Sequence, residues 1–134
     1  MIYQLDTHYM IWAISDTKKL SKKIKDALTN PGNQIIVSTI SFWEISLKSA
    51  LGKLEIRGLS PEDLPGLCLQ MGFDIVPLSA RESSTYHQLK STWHKDPFDR
   101  MLIWQAISNG YTLISTDSTV KKYVSEGLKI FSGK

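Results

Sequence analysis

Short apolar runs alternate along this chain with segments of helical pattern, and this alternation restricts the possible fold more than any other feature. The clearest run is Gln34 to Ser38, which has three consecutive β-branched residues at its centre. The segment after it repeats apolar residues at helical spacing. Strands that are separated by helices indicate a parallel sheet with helices on both faces, so we predict a three-layer α/β/α fold.

Turn residues and helix caps divide the chain into predicted strands and helices. The strands are at 2–5, 34–38, 74–78, 111–115 and 128–131, and the helices are at 7–14, 21–29, 41–51, 60–72, 81–91, 97–109 and 118–125. The sequence contains no repeat and no long linker. A chain of 134 residues is of the usual size for one domain, so we expect a single domain over residues 1–134.

The composition is that of a globular protein, with 42% hydrophobic and 22% charged residues. Even the longest apolar run, 9–14, is far too short to cross a bilayer, and so is the run 101–104. The first residues read as a strand that ends at Asp6 rather than as a signal peptide. The lone Cys68 cannot form an internal disulfide, which suits a reducing compartment. We therefore expect a cytoplasmic location.

Five lysines lie between residues 18 and 25, in a chain whose formal net charge is +3. Such a cluster is typical of a solvated helix face, but it also attracts polyanions such as nucleic acids. Both interpretations stay open when the cluster is considered alone. The second gains weight if the protein also has an acidic pocket that holds a charge-neutralising metal ion.

Four carboxylates stand at or near the ends of hydrophobic segments, namely Asp6, Glu44, Asp99 and Asp117. Asp6 directly follows the first predicted strand, and Asp117 follows the apolar run 111–116. Because ligands of open parallel sheets bind at the carboxyl ends of the strands, we expect both side chains to emerge at one edge of the sheet. This arrangement indicates a site for a divalent metal ion.

The helix that follows Asp96 carries two candidate residues. Asp96 is a good N-cap, so a structural role and a role as a metal ligand are both open for it. Asp99 could favour the helix dipole, yet it shares a helical stripe with Leu102 and Ile103 and should point inward. A carboxylate that faces the core is costly unless it is paired or bound to a cation, and no basic residue shares its stripe.

Glu44 lies beside the main apolar stripe of its predicted helix, which consists of Ile40, Trp43, Leu47, Ala50, Leu51 and Leu54. The structural alternative for Glu44 is an ordinary i,i+4 ion pair with Lys48, which contributes only about 0.3 to 0.5 kcal/mol at a surface. The helix alone does not decide between the two roles. A metal-binding role is favoured because all four carboxylates come from different elements that end at one rim of the sheet.

Carboxylate oxygens are hard ligands that suit Mg²⁺ or Mn²⁺. Zinc is not expected, because Cys68 is alone and the three histidines lack a metal-binding spacing. We interpret His8 and His94 as packing or hydrogen-bonding residues. With one or two hard cations, the chemistry that fits is hydrolysis of a phosphodiester by a metal-activated water. The predicted catalytic residues are Asp6, Glu44, Asp99 and Asp117.

Other functions are weighed against this one. A phosphatase of the haloacid dehalogenase type needs Asp-x-Asp after the first strand, where this chain has Asp6-Thr7-His8. A response-regulator receiver needs an acidic pair at the same place. An interaction module with a vestigial acidic pocket is the non-enzymatic alternative, and metal-dependent cleavage of RNA distinguishes a nuclease from it.

Four motifs, taken in this order, resemble those of PIN domains, specifically the VapC family of toxic ribonucleases from toxin-antitoxin pairs. They are Leu5-Asp6-Thr7-His8, Ile40-Ser41-Phe42-Trp43-Glu44-Ile45, His94-Lys95-Asp96-Pro97-Phe98-Asp99-Arg100-Met101-Leu102-Ile103 and Leu113-Ile114-Ser115-Thr116-Asp117. The resemblance covers almost the whole chain. It implies a five-stranded parallel sheet in the order 3-2-1-4-5, an Mg²⁺- or Mn²⁺-dependent endoribonuclease, and a homodimer that a small antitoxin protein neutralises. It assigns the metal site to Asp6, Glu44, Asp99 and Asp117.

The chain departs from the family pattern at one place. Many relatives carry a further acid shortly after the position of Asp117, whereas Ser118, Thr119 and Val120 follow it here. This departure favours one tightly bound metal ion over two, with Asp96 or Ser118 as a secondary ligand.

The predicted substrate is single-stranded or loop RNA. Lys48, Lys95 and Arg100 lie near acidic positions, and we expect them to contact the RNA backbone together with the lysine cluster. A second apolar face on the helix of Glu44, with Phe42 and Ile45 roughly opposite the main stripe, predicts an interface. Its expected occupants are a second copy of the chain or an amphipathic antitoxin helix.

Overall fold

The computed structural model describes residues 1–132 and contains a five-stranded parallel sheet. The strands are β1 (Ile2–Leu5), β2 (Gln34–Ser38), β3 (Asp74–Val76), β4 (Thr112–Ile114) and β5 (Lys129–Phe131). The helices are α1 (Thr7–Ser15), α2 (Lys22–Thr29), α3 (Thr39–Ala50), α4 (Leu64–Gln70), α5 (Ala80–Thr85), α6 (Pro97–Asn109) and α7 (Ser118–Lys121). Short 3₁₀ turns lie at Thr17–Lys19, Pro61–Asp63, Tyr86–Gln88 and Lys122–Glu126.

The strand order is β3-β2-β1-β4-β5, and every neighbouring pair is parallel. In β1, Tyr3 pairs with Ile35 of β2 on one side and with Thr112 of β4 on the other. The predicted fold and strand order are therefore confirmed. From β1 the sheet first grows on one side, with β2 and β3, and then on the other side, with β4 and β5. The carboxyl ends of β1 and β4 therefore form the crevice in which open sheets of this type bind ligands.

Two clusters of buried side chains cover the two faces of the sheet. One includes Leu5, Met10, Ile24, Ile45 and Ile114, and the other includes Ile103, Ala106, Leu113, Val120 and Tyr123. Leu113 and Ile114 are consecutive in β4 and belong to different clusters, because successive side chains of a strand point to opposite faces. Helices α1, α2 and α3 thus pack on one face, and α6 and α7 pack on the other.

The helices are short. The longest described helix, α6, has 13 residues and matches the predicted range 97–109. A helix needs about 20 predominantly apolar residues to cross a bilayer. No helix within residues 1–132 has the length and apolar character that this requires.

The predicted helix over 81–91 is too long. Helix α5 ends at Thr85, and a 3₁₀ turn and a loop replace the remainder. The hydroxyl of Thr85 donates to the backbone carbonyl of Arg81 at 2.6 Å. The hydroxyl of Ser83 donates to the backbone carbonyl of Ser79 at 2.9 Å. Such side-chain bonds to nearby carbonyls compete with the helical pattern. The loop that results carries His94 to the carboxyl end of the sheet.

Smaller boundary shifts have similar local causes. The strand predicted over 74–78 ends at Val76, because Pro77 has no amide hydrogen with which to extend the ladder. Helix α3 begins at Thr39, two residues earlier than predicted, since the hydroxyl of Ser38 accepts from the amide of Ile40 at 3.2 Å.

The predicted core face of α3 is wrong. Trp43 and Leu51 of the predicted apolar stripe are 61% and 59% exposed, whereas Glu44 and Ile45 are 4% and 1% exposed. Phe42 packs against the same cluster as Ile45, so the interface predicted on these two residues is wrong as well. Helix α3 therefore turns a partly polar face inward and leaves a large part of its apolar surface in solvent.

Candidate active site: a carboxylate cleft

Asp6, Asp99 and Asp117 line a cleft of about 340 Å³ at the carboxyl ends of β1 and β4. The other residues that line it are His8, Tyr9, Trp12, Leu102, Ile103, Leu113, Thr116 and Val120. The three carboxylates are far apart in sequence. The parallel topology brings them together, because each lies at the carboxyl end of a strand or in the first turn of α6.

Asp6 is the N-cap of α1. Its carboxylate accepts from the amide of Tyr9 at 2.8 Å, and its own amide donates to the carbonyl of Ile114 in β4 at 3.3 Å. Burial raises the pKa of Asp6 above its ordinary value, although the amide of Tyr9 and the hydroxyl of Ser115 act in the opposite direction. The negative charge of Asp117 raises this pKa further. The fold thus fixes Asp6 in a place where its charge is costly.

Asp117 is the N-cap of α7, and its environment differs from that of Asp6. Its carboxylate accepts from the amides of Thr119 and Val120 at 2.8 and 3.4 Å. Burial alone would raise the pKa of Asp117, but these amides and His94 lower it below its ordinary value. Asp117 is therefore an ionised and oriented carboxylate at the mouth of the cleft.

Asp96 and Asp99 share the first turn of α6. Asp96 caps the helix, since its carboxylate accepts from the amides of Phe98 and Asp99 at 2.8 and 3.1 Å. Burial raises the pKa of Asp99 to about 6, and the negative charges of Asp96 and Glu44 add to this shift. Asp99 is thus surrounded by more negative than positive charge, and ionising it is unfavourable without a cation.

His94, which the sequence indicates only as a packing or hydrogen-bonding residue, is a polar partner of Asp99 and Asp117. Its Nε2 lies 3.1 Å from Oδ2 of Asp99 and 3.3 Å from Oδ2 of Asp117. Its Nδ1 accepts from the amide of Asp96 at 3.3 Å, which places the proton of the neutral ring on Nε2. His94 thus bridges two carboxylates of the cleft. Its place two residues before the helix cap, in His94-Lys95-Asp96, is the one sequence signal that could have indicated this role.

Arg100 does not contact the cleft, in contrast to its predicted role at the RNA. Its side chain is buried, and its guanidinium donates to the carbonyls of Leu89, Ser91 and His94 and to the hydroxyls of Tyr86 and Tyr123. The hydroxyl of Tyr123 also accepts from the amide of His94 at 3.0 Å and donates to the carbonyl of Ser91 at 2.9 Å. Arg100 and Tyr123 therefore fix the loop that carries His94.

Glu44 does not line the cleft, but its charge acts on Asp99. It is buried, accepts from the hydroxyl of Thr7 at 2.7 Å and forms an ion pair with Lys48. Burial alone would lower the pKa of Lys48, whereas Glu44, Asp96 and Asp99 together raise it. Lys48 therefore stands close to three of the acids. Of the other predicted RNA contacts, Lys95 is exposed beside Asp96.

The donor set fits a hard divalent cation in its chemistry. Three carboxylates line the cleft, and burial together with the negative charges of Asp96 and Glu44 raises the pKa of Asp99. Within residues 1–132, no three His, Cys, Asp or Glu side chains are arranged as an assembled metal site. Three of the carboxylates accept from helix amides, and Oδ2 of Asp99 and Oδ2 of Asp117 both face His94. Binding of a cation would therefore require these side chains to reorient.

Comparisons with known proteins identify the family and the fold. The family described as PIN domain matches residues 3–125 of the chain. Among solved structures, VapBC2 from Rickettsia felis bound to a DNA fragment from their promoter is similar, with 18% identity, a TM-score of 0.70 and full coverage of both chains (100% and 100%). DNA-bound VapBC from Salmonella typhimurium is 15% identical with a TM-score of 0.71, and the match covers 100% of this chain and 99% of that one.

VapBC-1 from nontypeable Haemophilus influenzae is 19% identical to the chain with a TM-score of 0.68, and the match covers 98% of each chain. At these identities the likeness shows the fold alone. No curated protein sequence matches the chain significantly.

Proposed function

Because this chain belongs to the PIN domain family, we propose that it is a metal-dependent endoribonuclease and the toxin of a toxin-antitoxin pair. The observation that carries this proposal is the gathering of carboxylates around Asp99, whose pKa burial and negative neighbours raise to about 6. A buried group of carboxylates with too little positive charge favours the binding of a divalent cation. Strongly shifted pKa values inside a cleft are typical of functional sites.

Asp6, Glu44, Asp99 and Asp117 are the residues that would hold Mg²⁺ or Mn²⁺, with Asp96 as a further ligand. When bound, such an ion supplies a water of lowered pKa and positive charge for the scissile phosphate. Helix amides orient Asp6, Asp96 and Asp117 through one carboxylate oxygen each.

The neighbours of these carboxylates have supporting roles. Thr7 and Lys48 fix the orientation of Glu44. His94 shares its Nε2 proton between Asp99 and Asp117, and this contact reduces their repulsion before a cation arrives.

The substrate that we propose is single-stranded or loop RNA. All five lysines between 18 and 25 are exposed. Lys48 and Lys95 stand beside the acids of the cleft. Backbone contacts of this kind release counterions, so binding should weaken steeply as the salt concentration rises. An enzyme of this kind acts on cellular RNA, and we propose that it works in the cytoplasm.

We propose that the outward face of α3 mediates homodimer formation and that an antitoxin inhibits by covering the carboxylate cleft. Trp43, Leu47 and Leu51 are four residues apart and exposed, so they form a continuous apolar stripe on this face. Trp43 also borders an apolar groove of about 210 Å³, where its ring packs edge-to-face on Phe98.

A double variant, Trp43→Ser with Leu47→Ser, tests the dimer surface by light scattering. We expect it to remain folded and to become monomeric. The matched control is Leu69→Ser, which removes an equally exposed apolar side chain from α4. If the double variant and the control keep the same mass as the wild type, the dimer surface must lie elsewhere.

The proposed activity is tested with purified protein and a labelled single-stranded RNA, in Mg²⁺ or Mn²⁺ and in EDTA. We expect cleavage only with metal, and fragments without a 2′,3′-cyclic phosphate, because water rather than the neighbouring 2′-hydroxyl attacks the phosphorus. Cyclic ends, or equal cleavage in EDTA, would contradict the mechanism. Binding of RNA with no cleavage under any metal condition would favour the interaction module with a vestigial acidic pocket.

A further inference from the structure

A second groove of about 380 Å³ adjoins the carboxylate cleft. The two spaces share His8 and Trp12, which lie one helical turn apart on α1 with ring centroids separated by 5.9 Å. Beyond these rings, the groove is lined by Lys19 and Arg57 and by the carboxylates of Asp16 and Glu55. A polymer whose scissile phosphate lies at the carboxylates can therefore continue past an aromatic wall into a second, charged compartment.

The cations of this groove are available to a ligand. Lys19 and Arg57 are both exposed, and neither forms an ion pair with another residue of the described 1–132 segment. The ammonium group of Lys19 lies 5.6 Å from the centre of the Trp12 ring. An aromatic ring beside free cations is the arrangement with which proteins bind single-stranded nucleic acid, since it contacts both the bases and the phosphates.

The two acids select among anionic ligands. A simple polyanion would be repelled by Asp16 and Glu55, whereas a nucleotide carries exocyclic amino groups that donate to carboxylates as well as a phosphate that attracts cations. Uracil lacks an exocyclic amino group. A groove with two cations, two acids and an aromatic wall is therefore complementary to a nucleotide, and most of all to one whose base carries an exocyclic amino group.

We infer that this second groove binds a nucleotide adjacent to the scissile phosphate, with its phosphate on Lys19 and Arg57 and its base against His8 and Trp12. The inference rests on the proposed nuclease function, and it names the part of the protein that reads the flanking RNA. Of the lysine cluster at 18–25, Lys19 lines the groove and the other four do not. The inference therefore gives Lys19 a role that these four do not share.

The test measures RNA affinity in an Asp99→Asn background, which keeps the shape of the cleft and prevents turnover. The probe is a fluorescent single-stranded RNA of mixed sequence, and its binding is followed by anisotropy at several salt concentrations. Lys19→Gln and Arg57→Gln should each weaken binding about three- to tenfold and reduce the salt slope by about one. The matched control is Lys129→Gln, at the amino end of β5 and so at the opposite edge of the sheet.

Two further measurements decide the outcome. Oligo-cytidine should bind more tightly than oligo-uridine, and Glu55→Gln should reduce that difference. Wild-type protein should cleave the mixed-sequence RNA in Mn²⁺. If it cleaves while Lys19→Gln and Arg57→Gln bind like Lys129→Gln, the groove assignment is overturned and the nuclease proposal stands. If the wild type cleaves no RNA, the nuclease proposal is wrong, and the groove assignment that rests on it falls with it.

Discussion

A largely buried carboxylate lies at each end of helix α6, and the two have very different surroundings. Glu82 of α5 packs against the carboxyl end, and Asp99 belongs to the amino end of α6 itself. At the carboxyl end, Glu82 accepts from the amide of Ser79 at 2.8 Å, from Gln105 at 3.2 Å and from Asn109 at 2.8 Å. At the amino end, Asp99 has His94 as its polar side-chain partner and is repelled by Asp96 and Glu44. Neutral donors satisfy the first carboxylate, whereas the second is left with excess negative charge.

Burial alone therefore does not identify a functional acid. A buried carboxylate with several neutral donors contributes to stability through its hydrogen bonds. A buried carboxylate among other carboxylates is costly unless something outside the fold compensates its charge. We therefore interpret Glu82 as structural and Asp99 as the centre of a cation site, and matched variants of these two residues distinguish the roles.

The largest expected effect is on RNA cleavage. Asp99→Asn keeps the shape of the side chain and removes its charge, so the rate should fall by about two orders of magnitude or more, as for other groups that stabilise charge in a transition state. Glu82→Gln removes a charge of the same type at the other end of the helix and should change the rate less than threefold. Equal losses of cleavage rate in the two variants would contradict a specific catalytic role for Asp99.

The next effect concerns the loop between the two ends. Tyr123→Phe removes the hydroxyl that accepts from the amide of His94 and donates to the carbonyl of Ser91. Because His94 is then less firmly positioned, we expect kcat to fall about tenfold with little change in KM for RNA. A control that removes a distant phenol, Tyr111→Phe, should leave kcat unchanged. A change in KM alone would argue against a positioning role for this loop.

The free energy of unfolding should depend more on Glu82, beside the carboxyl end of α6, than on Asp99 at its amino end. Glu82→Ala removes one of the two acceptors of Gln105 and of Asn109 and the acceptor of the Ser79 amide, and the free energy of unfolding should fall by about 1 to 3 kcal/mol. Asp99→Ala removes a destabilising charge, so in metal-free buffer it should cost less than Glu82→Ala. Denaturant titrations of both variants measure the difference. A larger loss in Asp99→Ala would mean that the contact with His94 outweighs the repulsion.

The last effect is a dependence of stability on pH. The pKa of Asp99 in the folded protein is about 6, above its ordinary value of 3.8, so the folded state keeps a proton that the unfolded state has released. The stability of the metal-free wild type, relative to Asp99→Asn, should therefore fall as pH rises from about 4 to about 6 and then level off. A flat difference between wild type and Asp99→Asn would contradict the raised pKa.

The sequence predicts most of the fold because its periodic signals agree with one another. Helix α6 has the predicted bounds, with Asp96 as its cap and Gly110 in the left-handed conformation at its end. The strand ends that carry Asp6 and Asp117 follow from the topology. These parts of the site depend on patterns that a single sequence contains.

The parts that sequence reasoning missed lack such a pattern. In α3, apolarity alone selects the stripe of Trp43 and Leu47, but the buried face is the one on which Glu44 meets the hydroxyl of Thr7. Polar groups from two helices satisfy each other there, and only the tertiary structure shows it. His94 lies in a loop without periodicity. The reason for its position, the buried guanidinium of Arg100, is visible only in three dimensions.

The central claim is that the excess negative charge around Asp99 binds a divalent cation. Calorimetric titration of Mn²⁺ into the RNA-free wild type, Asp99→Asn and Glu82→Gln tests it most directly. We predict one binding event of similar affinity in the wild type and in Glu82→Gln, and a loss of at least tenfold in affinity in Asp99→Asn. Equal binding by Asp99→Asn and the wild type, or no binding by either, would contradict the account.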